Sequence, residues 1–142
     1  MASVQTDKAI RRKKGCVMGR IRSEIEVNER KCWTLFDSGA RNSYIVRRAT
    51  RGLDLTKLPT PRETAFGGRT HEVKEVCLVL ATVEGYRLEF QANVVTEIGT
   101  DEDGRPIEVL FGALAMHLWN IKLDLKNERL DFSHFTPDFV EY

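Results

Sequence analysis

The stretch LFDSGARNSYI, residues 35–45, sets one carboxylate at the point where an apolar run ends. A lone buried charge costs roughly several kcal/mol unless something compensates it or uses it, so Asp37 calls for a partner or a task. Its neighbours fit a task. Ser38 supplies a hydroxyl, Gly39 a tight turn, and Ala40 a small side chain that leaves space beside the acid. A carboxylate presented this way is suited to taking or giving a proton at a bound water or substrate. By residue type alone, Asp-Ser-Gly is also an ordinary turn or helix-cap sequence, and the surrounding chain has to decide between the two.

The remaining chemistry-bearing residues point elsewhere or nowhere. Cys16, Cys32 and Cys77 are odd in number and form no C-x-x-C pair, which reads as three reduced thiols in a cytoplasmic protein. His71, His117 and His134 do not fall at metal-ligand spacing relative to the cysteines or to one another, so no zinc site is indicated. The net charge of +1 gives no overall field for nucleic acid or a membrane surface. The RRKK run (residues 11–14) reads as a solvated arm, and nucleic acid is disfavoured as a partner. No apolar run approaches the ~20 residues of a membrane span. The N-terminal MASVQTDKAIRRKKGC lacks the apolar core of a secretory signal, so export by that route is not expected. With 142 residues, 42% hydrophobic and 30% charged, the chain suits one domain with a proper core.

The elements that must position Asp37 are mostly strands. Ile21, Ser23, Ile25 and Val27 alternate with Arg20, Arg22, Glu24 and Glu26, a period of two that marks a half-buried strand over residues 20–28. A turn leads into a second, more continuously apolar strand over 31–36, so Asp37 ends the return arm of a hairpin. Residues 47–55 suit a short helix, and LPTP (58–61) is expected to break what precedes it. Two short extended arms then flank Gly67-Gly68. A long β-rich run covers 73–83, Glu84-Gly85 turns it, and Tyr86, Leu88, Phe90 and Ala92 alternate with polar residues in the next strand. A polar loop (96–106), the apolar IEVLFG, a short helix over ALAMHLW and a closing hairpin turning at Asn127 complete the chain. The fold class is mainly β, with one or two short helices. Trp33 and Trp119 are read as core or dimer-interface residues.

In this order the elements resemble the retropepsin-like aspartic proteases, the single-domain family of retroviral and retrotransposon proteases and their cellular relatives. Asp37-Ser38-Gly39-Ala40 followed by Ser43-Tyr44-Ile45 matches the family's D-[ST]-G-A-x-x-S-[FY]-I, and Leu110-Phe111-Gly112 matches its later apolar-apolar-Gly. The ending KLDLKNERLDF resembles the family's terminal strand pair. The resemblance implies a retropepsin-like acid-protease β-barrel over residues 16–132, after a flexible basic arm (1–15) and before a C-terminal tail (133–142).

It further implies an aspartic endopeptidase in which Asp37 activates water, with Ser38 and Gly39 completing the catalytic loop. Ala40, Phe66, Gly67, Gly68 and Arg69 would meet the substrate, the last four as a flap hairpin that closes over an extended peptide. No metal or cofactor is implied. No other aspartate is followed by Ser/Thr-Gly, so Asp37 is expected to pair with its own copy in a C2 homodimer. Two carboxyl groups that close share a proton, one serving as base and the other as acid. The alternative is a catalytically inactive module of the same fold that dimerises or binds peptides. A third reading, a nucleic-acid-binding β-domain using the basic arm, would show strongly salt-dependent binding.

Overall fold

Strand β1 (Arg20–Val27) turns at Asn28 and Glu29 into β2 (Arg30–Asp37), and the register pairs Arg20 with Asp37 and Val27 with Arg30. Both turn residues hold positive φ, 50° and 66°, the twist that a two-residue hairpin needs. The computed structural model describes residues 19–137. Cys16, the RRKK run and the last five residues therefore lie outside the described residues.

β3 (Ser43–Val46) follows the Asp37 loop, and after it come β4 (Leu55–Phe66), β5 (Arg69–Val83) and β6 (Tyr86–Val95). β7 (Val109–Phe111) leads into helix α1 (Ala113–Trp119), and β8 (Lys122–Asp124) and β9 (Arg129–Asp131) form a closing hairpin. The main sheet runs β1-β2-β7-β3-β6-β5-β4, and β1 also pairs with β5, which curls the sheet into a ring. β7 lies between β2 and β3, parallel to the first and antiparallel to the second. These central strands read as continuous apolar runs because both of their faces are covered. Phe111 of β7 packs its ring on Phe36 and on Phe90, each at 4.8 Å between centroids.

Two expectations are corrected here. The 47–55 segment makes only a 3-10 turn, Arg47–Ala49. LPTP does not break the chain: β4 passes through Pro59 and Pro61, with the register slipping between Lys57 and Arg62. β4 is the edge of the sheet, where a missing N–H costs no ladder bond. The apolar IEVLFG run enters a strand as expected, with its ladder pairs to β2 and β3 falling within Val109–Phe111.

The polar loop before β7 folds around Asp101. Its Oδ1 accepts the backbone N–H groups of Asp103 and Arg105, each at 2.9 Å, and Oδ2 accepts Trp33 Nε1–H at 2.8 Å. Arg22 pairs with Oδ2 at 3.3 Å, and Arg105 lies over the Trp33 ring. The Asp101 side chain is 3% exposed. Burial by itself pushes this carboxyl up, but the N–H donors and the Arg22 charge outweigh it and hold it below the usual carboxylate range. Such a group adds stability above its unfolded pKa and gives it up as pH falls through the folded one. Asp101→Asn is therefore expected to cost about 1.5–3 kcal/mol at pH 7. In thermal melts the gap to the parent should narrow below roughly pH 4, and a gap constant with pH would contradict this role.

The segment after β9 packs on its own barrel. Phe135 stacks on Trp119 and contacts Tyr86 and Phe132, and Trp119, 5% exposed, donates Nε1–H to the Glu89 carbonyl at 2.8 Å. Trp119 is thus a core residue, whereas Trp33 is a half-buried anchor for the Asp101 loop.

Candidate active site

Asp37 ends β2 with its side chain 17% exposed. Its Oδ1 accepts the Gly39 N–H at 2.8 Å, and its main-chain carbonyl accepts the Ala40 N–H at 3.2 Å. Ser38 donates both its N–H (2.9 Å) and its hydroxyl (3.2 Å) to the Gly19 carbonyl of the same chain. Within one chain, the Ser38 hydroxyl braces the entry to β1. The Arg20 guanidinium stands beside the acid, Nε 3.9 Å from Oδ2, as the hairpin register dictates.

The loop rests on the entry to α1. Ala113 N–H donates to the Ala40 carbonyl at 2.6 Å, Leu114 N–H to the Arg41 carbonyl at 3.1 Å, and Gly112 N–H to Ser43 Oγ at 2.9 Å. The approach at Gly112 is close enough that a Cβ there would lie 2.3 Å from the Asn42 carbonyl oxygen and 2.9 Å from that of Ala40. Glycine is the residue that permits this packing. Gly39 lies in the turn closed by the Ala40 N–H to Asp37 carbonyl bond, its φ is not positive, and a Cβ there would sit 3.1 Å from Asp37 Oδ1. Gly19, which sequence reasoning missed, has φ +72°, and a Cβ there would collide with Ser38 Oγ. Arg20 was missed as well, although counting back from the turn at residues 28–29 would have set it opposite Asp37.

The expected flap is the β4–β5 hairpin. Phe66 pairs with Arg69 across Gly67 and Gly68, whose φ values of 59° and 74° suit a two-residue turn. The Phe66 ring stacks on His71 at 3.9 Å and tilts against Tyr44 at 4.5 Å, while Tyr44 Oη and Thr64 Oγ1 share a hydrogen bond of 2.7 Å. Arg69 pairs with Glu97 at 2.7 Å. Ala40 and Phe66 pack against one small cluster that includes Leu35, Tyr44 and Leu110. The structure thus brings the small residue of the acid loop and the tip of the hairpin to a common apolar patch.

A cavity of about 400 Å³ lies between the β4 arm, β6 and α1, lined by Asn42, Ser43, Arg62, Thr64, Leu114 and Leu118 among others. Asp37 does not line it. Other aspartates are engaged away from the loop: Asp101 and Asp103 with Arg22, Asp124 with Arg129, Asp131 with Ser133. One chain's acid loop therefore offers a single carboxylate.

Comparison with solved structures adds the fold. The retroviral protease-like domain of Ddi1 from Leishmania major superposes with a TM-score of 0.58 at 18% identity, covering 85% of this chain and 97% of that one. The chain has a retropepsin-like fold. The EIAV protease in complex with the inhibitor HBY-793 aligns over 71% of this chain and 88% of its own, at 16% identity and a TM-score of 0.48. No family sequence model matches the chain, and no curated protein is similar to it in sequence. Leu114 is 54% exposed, and the underside of the loop is held by Gly112, Ala113 and Ser43. Among the described residues no helix is long and apolar enough to cross a membrane.

Proposed function

We propose that this chain is an aspartic endopeptidase that acts as a C2 homodimer on extended peptide segments. The observation that carries the reading is Asp37 itself: a carboxylate at a strand end, on a loop tied down by backbone bonds to Gly19 and α1, in a retropepsin-like fold with one such loop per chain. Hydrolysis without a covalent intermediate needs one group to take a proton from water and another to give one to the leaving nitrogen. Two copies of Asp37 across a twofold axis supply both, because close carboxyls share one proton. The β4–β5 hairpin covers the bound peptide, with Phe66 and Gly67-Gly68 at its tip, and keeps bulk water out.

The half-site reading predicts a concentration dependence. Activity per chain should fall steeply once the protein is diluted below its dimer dissociation constant, and sedimentation should show monomer over the same range. Activity per chain that stays constant through dissociation to monomer would overturn the homodimer. Tight binding of a statine-type peptide, whose hydroxyl imitates the tetrahedral intermediate, is expected as well. Peptide binding with no turnover at any pH between about 3 and 7 would move the chain to a non-catalytic module of the same fold.

A further inference from the structure

The cavity beneath the β4 arm joins two walls that the proposed reaction uses. Asn42 lies on the loop that descends from Asp37 and Ser43 opens β3, while Arg62 and Thr64 lie on the hairpin arm that climbs to Gly67-Gly68. Its third wall, on α1, is unusual. Leu114 and Leu118 stand one helical turn apart and are 54% and 67% exposed, although most large apolar side chains of the chain are buried. Arg62 sits across from them. Its guanidinium donates to Asn93 Oδ1 at 2.9 Å, and among the described residues no carboxylate pairs with it. Glu63 also lines the cavity, but successive strand residues point to opposite faces, so the face that Arg62 shares with Thr64 carries the cation. Arg20, Arg22, Arg47 and Arg69, by contrast, each face an acid within ion-pairing distance.

We infer that this cavity is a specificity pocket for the substrate chain, taking an aliphatic side chain on Leu114 and Leu118 and, two residues away, a glutamate carboxylate on Arg62. In an extended peptide, residues i and i+2 project to the same side about 6.6 Å apart, and about 400 Å³ is room for two such side chains. A guanidinium with spare donors favours a carboxylate over the isosteric amide through charge-assisted hydrogen bonds. The exposed leucines favour an apolar neighbour by the area they lose to water. The inference rests on the endopeptidase reading for its choice of a peptide, and it adds a preference for acidic, aliphatic-rich segments.

Binding can be measured apart from turnover with Asp37→Asn protein. The probe is a positional library of fluorescein-labelled octapeptides, each position fixed in turn as Leu, Glu, Gln or Lys. Peptides with Leu and Glu two positions apart are expected to bind about tenfold tighter than their Gln counterparts. Arg62→Gln should erase that ratio, Arg62→Glu should turn it toward Lys, and Leu114→Ser with Leu118→Ser should weaken the Leu selection while leaving the Glu:Gln ratio. A Glu:Gln ratio near one in the Arg62-containing protein, or one unchanged by Arg62→Gln, overturns the pocket. The same library on protein with Asp37 intact separates the two claims. Selective binding without cleavage would remove the endopeptidase and keep the pocket, while cleavage blind to Glu would do the reverse.

Discussion

Asp37→Asn is expected to reduce peptide cleavage by a factor on the order of 10⁴, the upper end of what general acid–base catalysis contributes, while leaving the fold and the dimer in place. Asparagine retains an oxygen to accept the Gly39 N–H that now meets Asp37 Oδ1 at 2.8 Å. The substitution also removes the charge facing Arg20, whose Nε stands 3.9 Å from Asp37 Oδ2. Both of those side chains reach solvent, and ion pairs of that kind contribute little. The variant should therefore melt within about 1 kcal/mol of the parent and sediment as the parent does. A variant that melts normally and still cuts peptides at the parent rate would remove Asp37 from the reaction.

The second large effect lies under the acid rather than at it. Gly112→Ala places a methyl group 2.3 Å from the Asn42 carbonyl oxygen and 2.7 Å from its carbonyl carbon. Both belong to the backbone of the loop that carries Asp37, so no side chain can swing aside. The loop has to lift off α1, breaking the bonds from Ala113 to Ala40 and from Gly112 to Ser43. Overpacking of this kind costs about 1–3 kcal/mol or more, a drop in melting temperature on the order of 10 °C for a chain of this size. Peptide cleavage should fall further than stability accounts for, since the displaced loop misplaces the carboxylate. Ser43→Ala gives a milder version in case Gly112→Ala fails to fold. It leaves the buried Gly112 N–H without an acceptor, at about 1–3 kcal/mol. If both variants match the parent in melting and in cleavage, α1 is not what supports the loop.

Much of the path to Asp37 was legible because the signals are local. The alternation in β1, the turn at Asn28-Glu29 and the apolar return through Phe36 define a hairpin whose end is Asp37, and the structure has that hairpin in register. Gly67-Gly68 likewise marked the tip of the β4–β5 hairpin to the residue. Where partners are distant in the chain, the sequence was silent. β3 and β7 have four and three residues, too few to display a period, and they become strands only by lying beside each other and between β2 and β6. The loop around Asp101 reads as polar filler until Trp33, 68 residues away, arrives to donate its indole N–H. Pro59 and Pro61 pointed to a break because proline lacks a donor, a rule that loses force on an edge strand. At the site the motif located the loop but not what holds it. A Cβ on Gly39 would crowd Asp37 Oδ1 at 3.1 Å, and Gly19 and Arg20 fall outside the motif because their roles come from the hairpin register.

The most direct test is a crystal structure of the protein with a statine-type peptide bound. Two chains related by a twofold axis should present their Asp37 carboxylates to the inhibitor hydroxyl, each within hydrogen-bond reach of about 2.6–3.2 Å. A single chain holding the peptide alone, or a dimer in which the two Asp37 side chains face away from each other, would contradict the shared active site.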